Sequence, residues 1–105
     1  MAADCLKELI DAGFADPNET QNNSPDIATY LSFLQEHKEG SQLTAHGYLI
    51  TPERSDVRVS VEGIEGILDM GDVGDFVSLF RGADELSLEA SETRSFRFAA
   101  RCWYD

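Results

Sequence analysis

Residues 45–62 read AHGYLIT, PERSD, VRVSVE, and these three pieces decide the fold. Here the apolar period becomes two. His46, Tyr48 and Ile50 alternate with Gly47, Leu49 and Thr51, and Val57, Val59 and Val61 alternate with Arg58, Ser60 and Glu62. Successive side chains of a strand point to opposite faces, so strict alternation marks half-buried β structure. Pro52 to Asp56 supply the turn residues between the two runs. The pair is expected to form a β-hairpin with its valine face toward the core.

Upstream the period is helical. From Asp4 to Ala12, Leu6, Leu9 and Ile10 fall on one face with Cys5 beside them. Asp4 suits the positive end of the helix dipole, and Gly13 is a natural stop. Ala15 to Asn23 is rich in Asn, Asp and Pro and reads as a loop. A second helix is expected with Ser24 as N-cap and Pro25 at the first helical position. Ile27, Tyr30, Leu31 and Leu34 form its apolar stripe. His37 and Lys38 stand at its C-terminal end, and Gly40 ends it.

Downstream, Gly63, Gly66 and Gly71 argue for a loop over Gly63 to Gly71, although Ile64, Ile67 and Leu68 need burial. A short third helix is expected from Asp72 to Arg81, with Val73, Phe76, Val77 and Phe80 on one face. The stretch is short enough that a strand is the alternative. A second hairpin follows. Leu86, Leu88 and Ala90 share a face, Ser91, Glu92 and Thr93 turn the chain, and Phe96, Phe98, Ala100, Cys102 and Tyr104 line the longest strand. Ser95, Arg97, Arg101 and Trp103 take its other face. The expected order is α-α-β-β-α-β-β, a single α+β domain over residues 1–105. It would have about four antiparallel strands with the helices on one face.

Hydrophobic residues make up 42% of the chain, with six Phe, which is enough for a core and argues against disorder. Twenty acidic residues oppose eight basic ones, for a net charge of −12. Such a charge disfavours direct contact with nucleic acid and favours a basic protein surface as partner. No apolar run approaches the roughly 18 residues of a membrane span. Met1 to Ile10 lacks the basic and apolar regions of a signal peptide, so a cytoplasmic protein is expected.

Motifs for catalysis are missing. His37 and His46 are the only imidazoles, and no serine or cysteine signature accompanies them. Cys5 and Cys102 form no C-x-x-C pair and, with two histidines, no zinc set. Gly63 to Gly74 match no phosphate-binding loop. Asp69, Asp72 and Asp75 recur every third residue, unlike the alternate-residue ligands of a calcium loop. Asp72 as a helix N-cap and Asp75 in the first turn account for two of them. A non-enzymatic protein without metal or cofactor is therefore expected.

Charge placement carries the functional reading. Glu62, Glu65, Asp69, Asp72, Asp75, Asp84, Glu85, Glu89 and Glu92 set nine acids against one base, Arg81. On the last strand, cross-strand carboxylates such as Glu89 are expected to balance Arg97 and Arg101. The acids from Glu62 to Glu89 are candidate partner-binding residues, together with Trp103, which is either an exposed anchor beside Arg101 or packed against a helix or the chain's own edge. The expected mechanism is inhibition: carboxylates imitate a phosphate backbone and occlude the basic surface of a nucleic-acid-binding protein or nuclease. Small acidic phage proteins, anti-CRISPR proteins among them, work this way, a likeness of class and not of sequence. An immunity or antitoxin protein that neutralises a basic toxin would use the same physics. An acidic housekeeping domain of a halophilic host would show the same charge total. A small-ligand module would draw on Tyr48, Trp103 and the long loop. An exposed last strand would also support a homodimer by edge pairing.

Overall fold

The structure, a computed structural model, describes residues 1–20, 23–37, 42–50, 58–90 and 96–104. The elements are α1 (Ala3–Asp11), α2 (Ile27–Glu36), β1 (Gln42–Ile50), β2 (Arg58–Asp69), a 3-10 turn (Met70–Asp72), α3 (Val73–Phe80), β3 (Glu85–Ala90) and β4 (Arg97–Trp103). The strands form one antiparallel sheet in the order β1-β2-β4-β3. The α+β class and the element order expected from the sequence are those observed, and α3 is a helix rather than a strand. Lys38, Gly40, Thr51, Val57, Glu92, Ser95 and the turns at Pro52 to Asp56 and Ser91 to Thr93 lie outside the described residues.

The sheet is built on β2. The loop expected over Gly63 to Gly71 is strand through Asp69. Here β2 has neighbours on both sides: Ile64 pairs with Ala45 and Cys102, and Gly66 with Leu43 and Ala100. The glycines serve close approach, not looping. A Cβ at Gly63 would collide with the Cys102 carbonyl oxygen and come within 2.7 Å of Trp103 Cε3. Gly66 has φ +144°, which L side chains rarely adopt, and a Cβ there would collide with the Gln42 carbonyl oxygen.

A bulge keeps this long strand in phase with the core. Val59 and Val61 are buried at odd positions, Ile64 and Leu68 at even ones. Gly47 pairs with Val61 and His46 with Gly63, which leaves Glu62 as the extra residue of β2. One inserted residue resets a period of two, so both halves turn their apolar side chains to the helices.

The core joins Leu6 of α1, Ile27, Tyr30, Phe33 and Leu34 of α2, and Phe76 and Phe80 of α3 to the buried face of the sheet. That face presents Ala45, Val59, Val61, Ile64, Leu68, Ala100 and Cys102, with Tyr104 beyond the end of β4. Phe80 packs edge-on to Phe33 at 5.3 Å and stacked on Tyr30 at 5.5 Å between ring centroids. Such pairs each add about 0.5–1.5 kcal/mol beyond their buried area.

Several details depart from expectation. Asp26, not Ser24, caps α2. Its carboxylate accepts from Thr29 N at 2.9 Å and Thr29 Oγ1 at 2.6 Å, and these bonds hold its pKa below the usual carboxylate range. Ser24 is buried, and its Oγ donates to Pro25 O at 2.9 Å. Phe33 is buried while Leu31 is only half-buried, because the core lies on the Phe33 side of the helix. Cys5 sits off the Leu6 face and is exposed, as is Val77. Phe96 precedes β4 at φ +60° and is 71% exposed, so the buried face of that strand begins later. Finally, β4 lies between β2 and β3, so it cannot support edge pairing with a second copy.

Burial has a consequence at high pH. It pushes the Cys102 thiol up to about 11 and Tyr104 up to about 12, and it moves Tyr30 in the same direction. All three groups are neutral in the fold and ionise more readily in the unfolded chain. The stability they confer is intact below about pH 9 and is lost as the pH rises through 11 to 12. Tyrosinate absorbance from two of the three tyrosines is expected to rise together with loss of the far-UV signal. Full ionisation in a chain that is still folded would contradict this. No described helix is long and apolar enough to cross a membrane.

Candidate functional site

Acids that are neighbours in sequence part company in space. Beyond the bulge, the even residues of β2 face the core, so Glu65, Ile67 and Asp69 face away from the helices. The register sets Thr44, Glu65, Arg101 and Ser87 in one row across this open face, and His46, Gly63, Trp103 and Glu85 in the next.

The rows interlock through charge. Glu65 Oε1 lies 2.9 Å from His46 Nε2, and its Oε2 lies 3.7 Å from Arg101. Arg101 also reaches Glu85 at 3.5 Å, with its guanidinium 4.6 Å above the Trp103 ring. His46 stands on the other flank of that ring, 5.5 Å between centroids. Trp103 is therefore half-buried above Gly63, held by a cation and an imidazole, which is the packed placement of the two expected and not the exposed anchor. Arg97 lies 3.6 Å from Asp69. Glu89 sits opposite Ala99, so the carboxylates that balance the two arginines are Asp69, Glu65 and Glu85 instead.

Beside these pairs runs an open groove of about 450 Å³, lined among others by Thr44, Ile67, Ser87, Glu89 and Ala99. It is wide open to water; on its wall Glu65 and Arg101 pair with each other, while Glu89 stands outside that network. Half-exposed pairs of this kind are worth about 0–1 kcal/mol each.

A second acidic group gathers around His37, where α2 ends. The imidazole is 10% exposed and rests on Phe33, ring centroids 4.4 Å apart. Its Nδ1 is 2.8 Å from Asp72 Oδ1, and its Nε2 is 3.6 Å from Asp75 Oδ2. Asp72 holds the N-cap position of α3 but makes no capping bond with its side chain, which turns to His37. Asp69 shapes the preceding turn, its carboxylate accepting from Gly71 N at 3.2 Å. Asp4 of α1 lines a shallow recess with His37 and Leu34. Acids from the 3-10 turn and α3 thus face His37, and Asp4 of α1 borders the recess that His37 also lines. Asp75 has its side chain 70% exposed, and among the described residues no Lys or Arg lies within 4.0 Å of it.

The remaining candidates belong to neither group. Glu62 is the bulge residue, and its carbonyl accepts from Tyr104 N at 2.8 Å. Asp84 is exposed in the connection from α3 to β3. Among the described residues, no three His, Cys, Asp or Glu side chains come close enough to hold a metal ion. The contacts of His37 and His46 escaped the sequence, since each joins groups at least 19 positions apart and leaves no local pattern. Compared with known proteins, the chain matches no family model, no curated protein and no solved structure.

Proposed function

We propose that the chain is a non-enzymatic inhibitor that occludes the basic, nucleic-acid-binding surface of a partner protein. One observation carries this reading: Asp72 and Asp75 face a largely buried imidazole, and Asp4 lines the recess beside it, in a chain of net charge −12. His37 holds Asp72 by a 2.8 Å contact, and Asp75 stands 3.6 Å from its other ring nitrogen. The acidic end is therefore pre-organised, and a pre-organised row of carboxylates loses little entropy on meeting a phosphate-binding groove. Long-range attraction would speed the encounter. The sheet face differs, because Arg97 and Arg101 offset most of its acids.

Affinity capture from the native host is expected to recover a basic nucleic-acid-binding protein or nuclease. Replacing Asp75→Lys together with Glu36→Lys, the exposed last residue of α2 next to His37, should weaken that complex by about tenfold or more, as should raising salt from about 50 to about 500 mM. Asp16→Lys, in the loop after α1, should have little effect. A complex indifferent to the double substitution and to salt would sink the proposal.

A further inference from the structure

We propose that β3 is a docking edge, and that an extended basic segment of the partner adds to the sheet there as a fifth strand. The sheet has two edges, β1 and β3. The chain itself occupies part of the first: Met1 and Ala45 exchange backbone hydrogen bonds, Ala45 N donating to Met1 O at 2.8 Å and Met1 N donating to Ala45 O. Among the described residues, β3 exchanges backbone bonds with β4 alone.

Edge strands are usually blunted by Pro, charged side chains (Lys above all), a bulge or shortness. Glu85–Ala90 reads ELSLEA, with no Pro or Lys, and it pairs with β4 over all six residues without a bulge. Five of the six are exposed. What β3 does carry is Glu85 and Glu89, both on the open face of the sheet. A second copy paired antiparallel about Ser87 would set each Glu85 against the other copy's Glu89, and like charges directly opposite are destabilising. Glu89, outside the Arg101 network, with Glu85, which Arg101 reaches at 3.5 Å, favours a strand with Lys or Arg at alternate positions. Its intervening apolar residues would cover Leu86, which is 36% exposed, and continue the row begun by half-buried Leu88. Backbone pairing would supply affinity and the alternate side chains specificity. This contact lies on β3 and is separable from the acidic end around His37.

The probe is a fluorescein-labelled peptide of alternating Lys and Val, eight residues long, against the whole protein. Its anisotropy should show saturable binding, and the amides of β3, but not those of β1, should gain protection from hydrogen exchange. N-methylation of alternate peptide amides, tried in both phases, should weaken binding by about tenfold in one phase, because it removes the N–H groups that face β3. Glu89→Lys, a side chain outside the Arg101 network, should weaken it similarly, with an unchanged urea midpoint showing that the fold is intact. An alternating Glu and Val peptide should not bind. Equal binding in both N-methyl phases, or no protection of β3, would overturn strand addition while leaving the charge-based inhibitor standing. Protection of β3 by self-association without peptide would overturn it in favour of a second copy. Loss of partner capture on the Asp75→Lys and Glu36→Lys changes bears on the inhibitor and not on β3.

Discussion

Gly66→Ala is expected to destabilise the protein by about 2–6 kcal/mol, a large part of what such a domain has to lose. The φ of +144° places Gly66 where an L residue is strained, and the new methyl would meet the Gln42 carbonyl oxygen across the β1–β2 ladder. Backbone strain costs about 1–3 kcal/mol and overpacking against a fixed backbone about 1–3 more. A small domain has roughly 5–15 kcal/mol to lose, and a chain carrying −12 charges repels itself. Urea unfolding followed by far-UV circular dichroism measures the loss. Gly74→Ala is the control. It lies within α3, a Cβ there meets nothing within 4 Å, and it should stabilise by about 0.5–1 kcal/mol. If Gly66→Ala folds with an unchanged midpoint, β2 does not run through Gly66 between two neighbours.

Phe33→Ala should cost about 3–5 kcal/mol, the usual penalty for emptying a buried aromatic site. Phe33 is 1% exposed and touches three partners: Phe80 at 5.3 Å, Phe76 at 6.1 Å and His37 at 4.4 Å between ring centroids. With Tyr30 it joins α2 to α3, and it supports the imidazole between Asp72 and Asp75. The substitution should therefore loosen the acidic end as well as the core. Leu31→Ala, on a half-buried neighbour, should cost clearly less. Equal midpoints for the two variants would contradict the placement of the core on the Phe33 side.

These two residues also show how far the sequence could be read. The stripe of α2 was legible at Ile27, Tyr30 and Leu34, but apolar residues at both 31 and 33 made its centre ambiguous. Only the sheet beneath decides between them. The alternation of Val59 and Val61 was legible as strand, and so was the second hairpin. The continuation of β2 was not, because glycine usually ends regular structure, and its reason here lies in Gln42, Cys102 and Trp103, far away in sequence. The phase change across Glu62 becomes meaningful only once the strand is known to continue.

The candidate site was legible as a charge imbalance and illegible as a surface. Strand alternation divides Glu65, Asp69 and Glu85 from Glu62, and the 3-10 turn carries Asp72 and Asp75 to the far side of the sheet. Arg97 and Arg101 then neutralise acids that seemed unopposed along the chain. The imbalance that remains stands around His37, where the sequence suggested only helix capping.

Competition tests the inhibitor proposal most directly. The partner recovered by capture is loaded with a fluorescein-labelled nucleic acid that it binds, and the chain is titrated in while anisotropy is read. The proposal predicts complete displacement with one-site stoichiometry, and displacement lost on the Asp75→Lys and Glu36→Lys changes. A ternary complex, with the chain bound and the nucleic acid still in place, would contradict it.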